Sequence, residues 1–154
     1  MRSLLDSLFR FLAVTLLAVA VACHSTGSHA SDDSFHLLLR GYESGMKPGV
    51  IRVARTEAEW LELWKEHTST VIPRPDAPPV DWKHDMVVCV ALGARPTAGY
   101  GVRVTNVAHE NGRVVVEAEE TKPLPGAIVP QVVSHPYCIA TTARADGEVE
   151  LRMR

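Results

Sequence analysis

The chain has 154 residues, of which 16 are Lys or Arg and 18 Asp or Glu, with a formal net charge of −2 and 46% hydrophobic residues. That length and apolar content suit one domain with a core of its own. The mild acidity excludes a nucleic-acid binder, which needs a basic face, and the lack of a polybasic run excludes electrostatic docking to a membrane surface.

The amino terminus reads as a leader. Arg2 and Arg10, interrupted by Asp6, flank the start of an apolar run from Phe11 to Ala22. About a dozen residues fall short of the roughly 20 a bilayer requires. A basic start, a short apolar core and small residues at its end predict an export signal over residues 1–22. Cys23 follows Ala20-Val21-Ala22 directly and resembles the lipidated cysteine of a bacterial lipobox, with Ala20 where such boxes usually carry Leu. The expectation is export and lipid anchoring in the bacterial cell envelope, in the periplasm or at the outer surface. Plain secretion, with cleavage after Ala22 or Ala30, is the alternative. Residues 23–34 are small and polar and read as a flexible tether, which leaves residues 35–154 as the folded domain.

Phe35 to Arg40 predicts a first strand closed by Gly41, and Val50 to Ala54 a second beyond a turn-rich link. Thr56-Glu57-Ala58-Glu59 is a capping box that opens a helix. Behind it Trp60, Leu63, Trp64 and His67 recur at i, i+3, i+4 and i+7, a stripe that lays the helix on a sheet. Pro73, Pro75, Pro78 and Pro79 force an extended connector. Met86 to Leu92 is apolar on both faces and predicts a central strand buried on both sides.

Val102 to Ala108 and Val114 to Glu119 predict a hairpin. A two-residue Asn111-Gly112 loop would set Val104 opposite Glu119 and mix the faces. The apolar register therefore predicts a three-residue loop, Glu110-Asn111-Gly112, pairing Val104 with Ala118 and Arg103 with Glu119. Lys122 to Gly126 turns the chain, Val129 to Ser134 is irregular or strand-like, and a strand opens at His135-Pro136-Tyr137. Glu148 to Met153 predicts a last edge strand. The sum is an α+β fold: a single β-rich domain, mostly antiparallel sheet, with one main helix packed on it.

Catalytic signatures are missing from the sequence. Neither Gly-x-Ser-x-Gly nor His-Glu-x-x-His occurs, and there is no phosphate-cradling glycine loop. His24 and His29 lie in the tether and the other histidines are scattered, so no metal site and no cofactor are expected, nor an enzyme. Cys89 and Cys138 sit in apolar runs and read either as a disulfide in an oxidising compartment or as two buried thiols.

Arg95-Pro96-Thr97-Ala98-Gly99-Tyr100 stands apart from the rest. Pro96 fixes φ, Gly99 permits a backbone excursion, and Thr97 and Ala98 are small enough for another chain to approach. Asp81-Trp82, the apolar strand, Gly93, Pro96 to Tyr100, Pro125-Gly126 and Pro136-Tyr137 follow one another in an order that resembles the carboxy-terminal domain of the protease complex subunit PrcB family. The capped helix with Trp60 and Trp64 is similar to that family's pattern, and the resemblance covers about residues 50–143. The family usually reads Pro-Thr-Gly-Gly-Tyr, so Ala98 replaces a glycine, and Trp82 stands where Phe is usual.

The resemblance implies a non-catalytic exported lipoprotein that binds and stabilises a protein partner, an envelope protease being the first candidate. Arg95, Pro96, Thr97, Ala98, Gly99 and Tyr100 would face that partner, with His135, Pro136 and Tyr137 beside them. The same corner resembles the Asn-Pro-Thr-Thr-Gly-Tyr loop of chagasin-type peptidase inhibitors, with Arg95 in place of Asn, although their all-β sandwich has no place for the helix. A structural envelope protein without a dedicated ligand is the remaining alternative.

Overall fold

The computed structural model describes residues 35–46 and 50–154. The expected export signal, the expected tether with Cys23 and residues 47–49 lie outside the described residues. In chain order the elements are β1 (Phe35–Gly41), β2 (Val50–Ala54), α1 (Glu57–His67), β3 (Asp85–Ala91), β4 (Gly101–Glu110), β5 (Arg113–Thr121), β6 (Tyr137–Ala143) and β7 (Val149–Met153). Two sheets form, one ordered β1-β6-β3-β2 and one ordered β4-β5-β7. Every pairing is antiparallel except β5 with β7, which is parallel. The fold class is α+β, as expected.

The apolar run of β3 explains the layering. Met86, Val88 and Val90 enter one core with Val102, Val104, Val107, Val114 and Val116 of the second sheet. Val87, Cys89 and Ala91 point the other way, into a core with Trp60, Leu63 and Trp64 of α1. One strand thus serves two cores, with the helix on one face of the first sheet and the second sheet on the other. Burying each of its larger side chains contributes about 1.5–3 kcal/mol.

Helix α1 starts where the capping box places it. Thr56 Oγ1 accepts from the Glu59 N–H at 3.3 Å, and the Glu59 carboxylate accepts from the N–H groups of Thr56 at 3.2 Å and Arg55 at 2.7 Å. The Arg55 bond is the leading reason that the Glu59 carboxyl titrates below its ordinary value. Trp60, Leu63, Trp64 and His67 are all buried. Their indoles also explain the proline-rich connector. Trp60 Nε1 donates to the Pro78 carbonyl at 2.9 Å and Trp64 Nε1 to the Pro75 carbonyl at 2.8 Å, so the connector is strapped across the helix by its own acceptors.

The β4–β5 hairpin corrects one expectation and satisfies its reason. Glu110 pairs with Arg113, so the loop is the two-residue Asn111-Gly112, with φ of 50° and 77°, not the three-residue loop. Val104 nevertheless pairs with Ala118 and Arg103 with Glu119, because a bulge between Val104 and Asn106 absorbs one residue. Thr105 is the surplus residue, and its hydroxyl donates to the Glu117 carbonyl at 3.2 Å. The bulge also switches faces, so Val107 joins Val102 and Val104 in the core while Asn106 and Thr105 are exposed. Faces are matched at both ends of the hairpin, which the loop alone could not achieve.

The disulfide reading is corrected as well. Cys89 and Cys138 are free thiols. Cys89 pairs across the ladder with Ile139, and Cys138 with Val90. The two sulfurs therefore point to opposite faces of the sheet, Cys89 toward the helix core and Cys138 toward the second sheet. A bridge needs side chains directed at each other, and burial pushes both thiols above their ordinary titration range.

Candidate functional site

Between β3 and β4 the chain turns through Leu92 to Tyr100, and this corner is stapled at several points to the segment before β6. The Arg95 N–H donates to the Ser134 carbonyl at 2.7 Å and the Ser134 N–H returns to the Arg95 carbonyl at 3.0 Å. Ser134 Oγ donates to the Thr97 carbonyl at 2.9 Å, and the Ala98 N–H to the Pro130 carbonyl at 3.0 Å. Arg95 also holds the corner from its own side. Its guanidinium donates to Glu120 at 2.8 Å and to the Leu92 carbonyl at 2.8 Å, in a half-buried setting.

Gly99 supplies the positive φ, 92°, and any Cβ there would stand 3.1 Å from Pro123 Cγ and 3.2 Å from Val129 Cγ1. Among the described non-glycine residues only Asn111 has a positive φ, so Ala98, where the PrcB pattern has glycine, sits without backbone strain.

The residues singled out by sequence divide into three groups. Pro96 and Gly99 are exposed, and Arg95, Thr97, Ala98, Tyr100 and His135 are half-buried. Pro136 and Tyr137 correct the expectation of a partner-facing pair, since both are buried. Tyr137 opens β6, and its ring packs 4.3 Å from that of His67 inside the helix core. Pro136 is enclosed, and its carbonyl accepts from the Leu92 N–H at 3.0 Å. Sequence cannot separate His135 from its neighbours, because the strand starts where burial starts.

What the sequence reading missed is the surface beside the corner. The segment from Lys122 to Ser134 has no strand or helix, and on it Leu124 (78%), Ile128 (103%), Val132 (56%) and Val133 (63%) are exposed. A signal was present. Pro123, Pro125 and Pro130 bar a paired strand, so the apolar residues among them have no sheet in which to hide. The corner and this segment form one bracketed surface, with the staples named above beneath it.

Residues 86–143 match the PrcB C-terminal family model. This match supports the resemblance read from the motif order, and it contains both the corner and the exposed segment. The matched residues run from Met86 in β3 to the end of β6, and α1 with its connector precedes them. No curated protein matches the chain, and no solved structure does.

Nearby, Ser44 Oγ and His67 Nδ1 lie 2.9 Å apart, both residues buried. The same hydroxyl accepts from the Met46 N–H at 3.2 Å, and the Gly45 N–H donates to the His67 carbonyl at 2.9 Å. The arrangement docks residues 44–46 on the carboxyl end of α1. Burial pushes the His67 pKa below its ordinary value. The folded state therefore favours neutral His67, while the unfolded chain takes up a proton as pH falls through about 6.5. Stability from this group is complete above that value and is lost below it, down to the depressed folded pKa. His84 has the opposite sign, because its bond to Asp81 raises its pKa, but it stands in solvent. Urea titrations at pH 7.5 and pH 5.5 are expected to show the wild type losing stability at the lower pH and His67→Gln losing less. Equal losses would contradict the assignment.

Among the described residues, no three His, Cys, Asp or Glu side chains converge on a metal-sized site.

Proposed function

We propose that the chain is a non-catalytic, exported protein-binding module whose docking surface is the exposed apolar segment 122–134, held in shape by the Arg95–Tyr100 corner. The observation that carries this reading is Leu124, Ile128, Val132 and Val133 standing in solvent on one stapled segment. Exposed apolar patches on a folded body mark interaction sites. A surface stapled before docking also loses little conformational entropy on binding. The family is named for a protease complex subunit, so an envelope protease is the first partner to test, with lipid on Cys23 keeping the module at the membrane.

The Ser44–His67 pair does not compete with this reading, since the hydroxyl is engaged by a backbone donor and both groups are enclosed. A chagasin-type inhibitor has less support. The Thr97 carbonyl and the Ala98 N–H are committed to Ser134 and Pro130, which leaves the corner poorly placed to enter a peptidase cleft.

The test replaces both Ile128 and Val132 with Asp in the full chain. These side chains are exposed, so melting is expected to stay within about 0.5 kcal/mol of the original, while affinity recovery of the native partner from envelope extract falls at least tenfold. Undiminished recovery would remove the segment from the docking surface.

A further inference from the structure

A second feature adjoins the corner on its Tyr100 side. Arg40, Tyr42, Tyr100, Gly101, Arg103 and Thr121 line a cleft of ≈ 330 Å³ between the end of β1 and the start of β4. Volumes of this order hold small ligands or single peptide residues. Its lining carries two guanidinium groups and no carboxylate. Glu119 holds Arg103 at 2.6 Å from outside the lining. Arg40 is exposed and, among the described residues, makes no ion pair.

Gly101 is the informative residue. Gly41, Gly45 and Gly147 are pressed against neighbours closer than a Cβ tolerates, and Gly93, Gly99, Gly112 and Gly126 have positive φ. Gly101 has neither constraint. A Cβ there would meet Thr121 Cβ at 3.7 Å and Tyr42 Cε1 at 4.0 Å, ordinary contacts with two walls of the cleft. A glycine inside a strand costs stability unless another group approaches it closely. Neither backbone conformation nor a clash with the fold requires glycine at this position, and its missing side chain leaves the cleft open between Thr121 and Tyr42.

We propose that this cleft captures the free C-terminal carboxylate of a polypeptide, with Arg40 as its charge partner. Tyr42 and Tyr100 offer ring faces to the last side chain and hydroxyls to its main chain. The bare Gly101 backbone lets that main chain come close. Among the described residues strand β4 is an outer strand, paired with β5 alone, so it keeps main-chain groups for an incoming peptide. A guanidinium suits a planar carboxylate better than an ammonium would. The inference rests on the protein-binding reading above and adds a second contact to it.

The test is a nuclear magnetic resonance titration of the full chain with an N-acetylated random tetrapeptide pool bearing a free carboxylate. Parallel titrations use the amidated pool and an amidated peptide carrying one internal Glu. The expected result is saturable shifts at Gly101 and Arg40 with the free acid, and about tenfold weaker binding by both amidated probes, the loss of one charge-assisted bond. Arg40→Gln should weaken the free acid by a similar factor. Gly101→Ala should retain the fold and abolish the response. Equal binding of acid and amide, or no shift at millimolar pool, overturns the proposal. Equal binding of the internal-Glu peptide overturns the terminus as the group recognised. Should Gly101→Ala misfold, the Arg40→Gln comparison decides alone. Partner recovery by the Ile128 and Val132 variant reports on the docking surface separately, so failure of the one is distinguishable from failure of the other.

Discussion

Replacing Trp60 with alanine is expected to destabilise the fold by about 3–5 kcal/mol, the range for removing a large aromatic from a packed core. Trp60 is 2% exposed, its ring lies 5.3 Å from that of Trp64, and its indole N–H holds the Pro78 carbonyl. The substitution therefore opens a cavity between α1 and β3 and also releases the connector. Against a total of roughly 5–15 kcal/mol for a domain, that loss is a large share. Leu61 lies on the outer face of the same helix, 51% exposed, and Leu61→Ala is expected to change stability by no more than about 0.5 kcal/mol. Urea unfolding of the two variants checks the contrast. Comparable effects would mean that the helix does not lie on the sheet through Trp60.

The second large effect concerns the corner. Gly99→Ala is expected to cost about 1–3 kcal/mol, because φ of 92° is strained for any side chain and the new methyl is tight against Pro123 and Val129. Relief requires the 122–134 segment to move away, so amide exchange at Ala98, whose N–H bonds to Pro130, should rise with it. Ala98→Gly is the informative partner, since it restores the glycine usual in the PrcB pattern. The position needs no positive φ, so the added chain freedom costs only about 0.4–1 kcal/mol and exchange should stay near its original rate. If Ala98→Gly stabilised the protein, the backbone at 98 would be strained after all.

The elements with strong local signals were legible without coordinates. The Thr56–Glu59 box placed the start of α1, the four-residue stripe named its buried face, and the unbroken apolar run of β3 announced a strand with a core on either side. Faces in the hairpin were read correctly at Val104 and Ala118, yet the loop was not. An apolar pattern fixes which side chains meet, and a bulge at Thr105 satisfies that pattern as well as a longer loop does. Pairing of Cys89 with Cys138 was undecidable from spacing, because opposite-facing neighbours on adjacent strands have the same sequence signature as facing ones.

The site was legible in part. Its corner stood out through Pro96 and Gly99, but the corner is largely a bracket. The surface it supports carries apolar residues interrupted by Pro123, Pro125 and Pro130, a combination that reads as exposed only once no strand can form there. Pro136 and Tyr137 shared the corner's motif character and proved to be core, because β6 begins with them.

Segment 122–134 is the proposed face that meets another protein. Site-specific photocrosslinking tests this directly, with the photoreactive side chain at Ile128 in one full-length chain and at Glu62, on the exposed face of α1, in another. One discrete adduct in native envelopes is expected from position 128, none from position 62, and the adduct is expected to be lost when Val132 is also changed to Asp. Identical adducts from both positions, or none from position 128 while the partner is recovered intact, would contradict the proposal.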